Sequence, residues 1–304
     1  VLVKQRWQIL VGGYVGKFLR VDLSTSGIKE EEFSIDVLKG FIGGRGLGVK
    51  ILYDELKPGI NPLSPENKIL IMTGPVTGTP SPETGRWCSV TKSPLTGTIH
   101  DSQSGGDFGP YLKFSGFDGI VIEGGSEKPV YLWLDNGNAE IKDASPLWGK
   151  DVFQTTDTII KDHGDKNIRV ACIGPAGENL VRFAAIMNDK HRAAGRGGHG
   201  AVLGSKKVKA IAVRGDKRPI IADEVVFKET TERVRGKIKE MSVTSESLPD
   251  RGTAFLVDLI NEEGGYPTRN FQTSIFSTAD RTSGETLRDT LLIKDKGCWG
   301  CIIR

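Results

Sequence analysis

The chain has 304 residues, with 41 Lys and Arg against 38 Asp and Glu, 39 Gly and 4 Cys; that length exceeds one average domain and predicts one large domain plus part of a second. The near-neutral balance shows no basic block of the kind that marks nucleic-acid binding, so an anion site must be local. No apolar run approaches the roughly 18 residues of a membrane span, the first ten residues, VLVKQRWQIL, lack a signal-peptide hydrophobic region, and four Cys with only two close together are no disulfide framework, which together predict a cytoplasmic protein.

In chain order, short runs rich in Val, Ile and Phe predict strands at 17–22, 68–72, 87–91, 119–123, 130–134, 168–173, 183–187 and 209–213. Helices are predicted at 35–41, 46–55, 109–115 and 152–163. After RGDKRPIIADE the texture changes to helical spacing at 225–241 and 253–263, which places a domain boundary near Pro219. Residues 1–12 form an extension without a reading, 13–219 an N-terminal domain and 220–304 the start of a mainly helical one.

A weak internal repeat runs through the first part. Gly106–Gly124 (GDFGPYLKFSGFDGIVIEG) aligns without gaps on Gly197–Gly215 (GGHGAVLGSKKVKAIAVRG), sharing Gly109/Gly200, Leu112/Leu203, Ile120/Ile211 and Gly124/Gly215. Upstream, ILIMTGPVTGT has a partner in RVACIGPAGEN. Each half reads as strand, Gly-Pro turn, strand, Gly-rich loop, short helix, strand, so the two Gly-rich loops could bind two similar ligands.

Those loops, TIHDSQSGGDFG (98–109) and NDKHRAAGRGGHG (188–200), each precede a predicted helix start, and the second adds Arg192 and Arg196. Backbone N–H groups at a helix start with a guanidinium nearby suit a phosphate. Arg86, in ETGRWCSVTKSP, is a third candidate anion clamp. Neither loop fits the Walker or dinucleotide fingerprint, which disfavours a mononucleotide or simple NAD enzyme. GGRGLG (43–48) is explained by a helix-entry turn without a ligand. The histidines at 100, 163, 191 and 199 are too scattered for a metal triad, and Cys88 and Cys172 sit in apolar strands as small hydrophobes. Cys298 and Cys301, in KGCWGCIIR, favour thiolate ligation of zinc or iron over a redox disulfide, and both metals need further ligands.

Several long blocks carry a resemblance: GKFLRVDLSTSGIKEEE, FIGGRGLGVKIL, PLSPENKILIMTGPVTGT, GRWCSVTKSPLTG, SGGDFGPYLKFSGFDGIVIEG, IGPAGENLVRFAAIMNDKHRAAGRGGHGAVLGSKKVKAIAVRG and YPTRNFQTSIF. In this order, from about Gly13 onward, they resemble the aldehyde ferredoxin oxidoreductase family of tungsten enzymes, and the aldehyde oxidoreductase branch within it. The resemblance implies an α+β fold: an N-terminal domain of two pseudo-two-fold related β-sheets with short helices, followed by the start of a mainly helical domain. It implies a tungsten (or molybdenum) bispterin, a magnesium bridging the pterin phosphates and a 4Fe-4S cluster.

By motif, the resemblance assigns Arg86 to a phosphate, Gly105 through its N–H to the same group with Ser104 beside it, and Arg192 and Ala193 to the second phosphate. The main-chain carbonyls of Gln103 and Ala193 would hold magnesium; Gln103 stands where the family often has Asn. Cys298 and Cys301 match the first two cysteines of the cluster motif, whose third would fall at position 305. The expectation is therefore a portion of a longer enzyme that oxidises aldehydes to carboxylic acids and passes electrons to ferredoxin, compatible with a homodimer, without membrane or nucleic-acid partners. No residue here is assigned a catalytic role, and the chain by itself is expected to be inactive. The alternatives are a non-catalytic cofactor-binding or scaffold fragment of the same family and a Cys-x-x-Cys zinc protein.

Overall fold

Residues 12–303 are described by the structure, a computed structural model; apart from Gly12, the N-terminal extension lies outside the described residues. The chain divides into two units, 1–224 and 225–304.

In the first unit, two six-stranded sheets follow one plan. The first holds β1 (Phe18–Asp22), β2 (Gly27–Glu31), β3 (Ile69–Met72), β4 (Trp87–Lys92), β5 (Ile99–Ser104) and β6 (Gly119–Glu123), in the order β2-β1-β6-β3-β4-β5. The second holds β7 (Val130–Asp135), β8 (Asn138–Asp143), β9 (Arg169–Cys172), β10 (Ile186–Asn188), β11 (Arg192–Ala194) and β12 (Val208–Arg214), in the order β8-β7-β12-β9-β10-β11. Each strand of one sheet thus has a counterpart six strands on. The β1–β6 and β7–β12 pairs are parallel and the other pairs antiparallel. The repeat visible in the sequence is a repeat of topology.

Period-two alternation sorts the side chains. Leu19, Val21, Ile69, Ile71, Ile120 and Ile122 share one core with Leu132, Leu134, Ile211 and Val213 of the other sheet. Their neighbours face outward: Phe18, Leu70, Met72 and Val121 pack on helices α1 (Ile35–Phe41) and α2 (Gly44–Glu55), while Val170, Cys172 and Ala210 pack on α4 (Val152–His163). The short helices before β6 and β12, α3 (Phe108–Phe114) and α6 (His199–Ser205), enter the shared core through Phe108, Leu112, Val202 and Leu203. A four-residue helix α5 (Pro175–Glu178) completes the unit.

Several expectations shift. Residues 99–104 and 192–194, read as loops, are strands β5 and β11, because ladder pairing from Trp87↔Ser104 to Lys92↔Ile99 and from Ile186↔Ala194 to Asn188↔Arg192 supplies order that their polar residues do not signal. The polar edge strands β2 (GIKEE) and β8 (NAEIKD) likewise carry little apolar pattern. The strand expected at 183–187 begins only at Ile186, since Ala184 closes a turn onto Val181 O at 2.8 Å.

The second unit is helical: α7 (Glu224–Glu240) leads into it, followed by α8 (Leu248–Arg251), α9 (Leu256–Glu262) and α10 (Gly284–Thr290). The helix expected at 253–263 splits into a 3-10 turn over 252–255 and α9. Ion pairs Arg251–Glu285 and Arg288–Asp250 tie α8 to α10.

Candidate functional site

The two Gly-rich segments meet along a hydrogen-bonded seam. Ser104 Oγ donates to Asn188 Oδ1 at 2.6 Å, and Asn188 Nδ2 donates to Gly105 O at 2.9 Å. Asp189 Oδ2 accepts from the backbone N–H of Asp107 (2.7 Å) and Phe108 (3.2 Å), so a carboxylate from the second half occupies the start of α3. Burial raises the Asp189 carboxyl above its ordinary range despite these donors. Further along, Arg196 N donates to Ser102 Oγ at 3.1 Å and Ser93 Oγ to Gly197 O at 2.6 Å.

The buried His199 ring sits at 3.1 Å from His100 Nδ1 through Nε2 and at 2.8 Å from Ser89 Oγ through Nδ1. Desolvation first, with the neighbouring His100, pushes its value down to about 3. Glycine is required at the crossing points. A Cβ on Gly106 (φ +87) would stand 2.3 Å from Asp189 Oδ2, and one on Gly197 (φ +73) 2.4 Å from His100 Nδ1.

Register brings out what the sequence could not. Gln103 pairs with Cys88, the second residue of β4, and Ala193 pairs with Met187, the second residue of β10. The two positions assigned to magnesium are therefore counterparts in the two halves, both exposed, on β5 and β11, each the edge strand of its sheet. An edge strand leaves alternate carbonyls outside the ladder. Arg192 adjoins Ala193, and its Cγ would lie 3.2 Å from a Cβ at Gly106. Ser104, by contrast, is buried with its hydroxyl committed to Asn188.

Arg86 opens into a cleft of about 170 Å³ lined by Gly44, Arg45, Gly74, Thr77, Trp87 and Gln103. Arg45 belongs to the GGRGLG stretch, which was expected to be a helix-entry turn alone. An arginine between glycines, with no acidic residue in the first helical turn, was the signal for a further role. Cys88 lines the same cleft; desolvation first, then Asp101, pushes its thiol up to about 12, so it behaves as an inert buried group. Cys172 is likewise buried, pushed up to about 11 by desolvation.

Exposed guanidinium groups and strand-edge carbonyls are donors for phosphate and for a hard cation such as magnesium. No cluster of three His, Cys, Asp or Glu able to hold a metal occurs among the described residues. The guanidinium groups and strand-edge carbonyls present fit the phosphate end of a metal–pterin group and its cation. In the second unit, Cys298 and Cys301 are half-buried, in a turn closed by Cys301 N donating to Cys298 O at 3.1 Å, with Gly300 at φ +65.

Residues 18–215 match the family model "Aldehyde ferredoxin oxidoreductase, N-terminal domain", and residues 229–304 match "Aldehyde ferredoxin oxidoreductase, domains 2 & 3". The chain is 52% identical over 291 residues to the tungsten-containing aldehyde ferredoxin oxidoreductase of Pyrococcus abyssi, covering 96% of this chain and 48% of that protein. It is 43% identical over 218 residues to an aliphatic sulfonate oxidoreductase, WOR-like subunit, of Pyrococcus furiosus, covering 66% of this chain and 34% of that one. Among solved structures it matches the active site complex BamBC of benzoyl coenzyme A reductase, with a TM-score of 0.83 and 30% identity over 95% of this chain and 46% of that chain. The chain thus spans about half the length of the tungsten-containing relatives it matches. No helix among the described residues is long and apolar enough to cross a membrane. Two sheets of one topology, family-model matches along most of its length and 52% identity to a tungsten-containing relative over 96% of its residues make this chain a member of the aldehyde ferredoxin oxidoreductase family.

Proposed function

We propose that this chain forms part of an enzyme that oxidises aldehydes to carboxylic acids with ferredoxin as electron acceptor, in the cytoplasm. The observation that carries the reading is the register equivalence of Gln103 and Ala193, with Arg86 and Arg192 close to them, in a chain of this family. Arg86 and Arg192 hold the phosphates of two pterins as charge-assisted donors. Gly105 adds its N–H and Ser104 its main chain. The carbonyls of Gln103 and Ala193 would hold a magnesium ion, and Cys298 and Cys301 would provide two thiolates toward a 4Fe-4S cluster. When bound, the tungsten or molybdenum bispterin supplies the two-electron chemistry, and this chain binds and orients it. The seam between the halves keeps the two phosphate positions in register with each other. Arg86→Ala and Arg192→Ala are expected to lower the tungsten and pterin content of the purified protein; unchanged tungsten content in both variants would overturn the phosphate assignment.

A further inference from the structure

The helices α2 and α4 are counterparts: each has 12 residues, follows the first hairpin of its half and leads to the strand β3 or β9. Their N-termini differ. The Asp151 carboxylate caps α4, accepting from Gln154 N at 2.8 Å, and the Gln154 side chain returns the bond to Asp151 N at 3.3 Å. At α2 the cap is Gly43, with no side-chain cap and no acidic residue in the first turn. Gly44 N donates to Thr73 O at 3.0 Å, and no side-chain carboxylate caps the positive end of the dipole.

That end lies on the cleft, where Gly44 and Arg45 join Arg86, Thr77 and Gln103 in the lining. Neither Arg45 nor Arg86 has an ion-pair partner among the described residues, and the Arg45 charge is felt at the Cys88 thiol in the same lining. Trp87, 1% exposed and also in the lining, has an indole N–H without an acceptor among the described residues.

The backbone that carries Arg45 is fixed on both sides of it. A Cβ at Gly48 would stand 2.6 Å from Val90 Cγ2, so α2 is pressed on β4. Before the helix, Ile42 takes φ +64, unfavourable for a β-branched residue, while its carbonyl accepts from Tyr14 Oη at 2.5 Å. Two guanidinium groups, a helix N-terminus and no carboxylate in one cleft match a tetrahedral dianion.

We propose that Arg45, together with Arg86 and the first turn of α2, clamps one phosphate of a phosphorylated ligand in this cleft. That the phosphate belongs to a pterin rests on the function proposed above; that the cleft takes phosphate does not. The test titrates inorganic phosphate into the cofactor-free chain by calorimetry at constant ionic strength, for wild type, Arg45→Ala, Arg45→Lys, Arg86→Ala and, as a control on the same helix, Lys50→Ala, whose side chain pairs with Asp54. Arg45→Ala and Arg86→Ala are each expected to weaken phosphate binding about tenfold, an ion-assisted hydrogen bond's worth, with partial retention in Arg45→Lys and none of the loss in Lys50→Ala. Far-UV circular dichroism confirms that each variant is folded.

Wild-type affinity in Arg45→Ala, or no phosphate binding by the wild type, overturns the proposal. Pterin content of the same variants in cofactor-loaded protein then separates the sources of the phosphate. Loss in both Arg45→Ala and Arg86→Ala supports a pterin phosphate in the cleft. Loss in Arg86→Ala alone sinks the Arg45 role and leaves the proposed function standing. Absence of pterin from the wild type sinks the proposed function and leaves the cleft to be judged on the inorganic phosphate titration.

Discussion

His199 is fully buried, and its value falls from the ordinary 6.5 to about 3. Because the folded value lies below the unfolded one, the unfolded chain takes up the proton first on acidification. The contribution of the neutral ring to stability is complete above about pH 6.5 and is lost as pH falls toward about 3. At roughly 1.36 kcal/mol per unit the full span has a ceiling near 5 kcal/mol, of which about 2–3 kcal/mol is lost between pH 7 and pH 4.5. In His199→Gln the amide can still bond His100 and Ser89 but does not titrate. Urea unfolding followed by tryptophan fluorescence at pH 7 and pH 4.5 reads the difference directly. Wild type is expected to lose about 2–3 kcal/mol more than the variant over that interval. Equal losses in the two proteins would refute the argument that this imidazole is held neutral at the seam.

Lys113, 1% exposed, donates to Gly13 O and Gly74 O, each at 2.6 Å, and pairs with Asp118 at 3.1 Å, so Lys113→Met should cost about 3–5 kcal/mol by leaving that buried carboxylate without its cation, with only Gly16 N donating to it. The double variant with Asp118→Asn should recover part of the loss in the same urea assay, and a single-variant loss under about 1 kcal/mol contradicts the reasoning. Cys298→Ser and Cys301→Ser should each lower the iron content of protein purified without oxygen, read by metal analysis and visible absorption; stoichiometric zinc in its place would refute the cluster assignment.

Much of the scaffold was legible residue by residue. The strand Gly119–Glu123 and the helices Ile35–Phe41 and Val152–His163 fall on their expected bounds, because each pairs an apolar run with clear punctuation, such as Asp151 and Gly164 around the last. IHDSQS and RAA carried no such pattern. Their strand state comes from hairpin pairing with β4 and β10 and not from their own residue pattern. Arg86, Gln103, Arg192 and Ala193 were named from motifs, whereas Arg45 was passed over, since only the packing of α2 on β4 puts it in a cleft with Arg86.

The order of apolar runs and Gly-rich motifs determined by itself the types of most elements, the duplication and the family, since these depend on local periodicity and on residues written in the chain. Tertiary structure decided which of those residues share a site. It set Gln103 opposite Cys88 and Ala193 opposite Met187 as counterparts, and it closed the start of α3 with Asp189 from the other half. It also brought the start of α2, which carries Arg45 and no capping carboxylate, beside Arg86. The approach of the two halves is a long-range choice, made by burying both sheets against one core, and no single segment contains it.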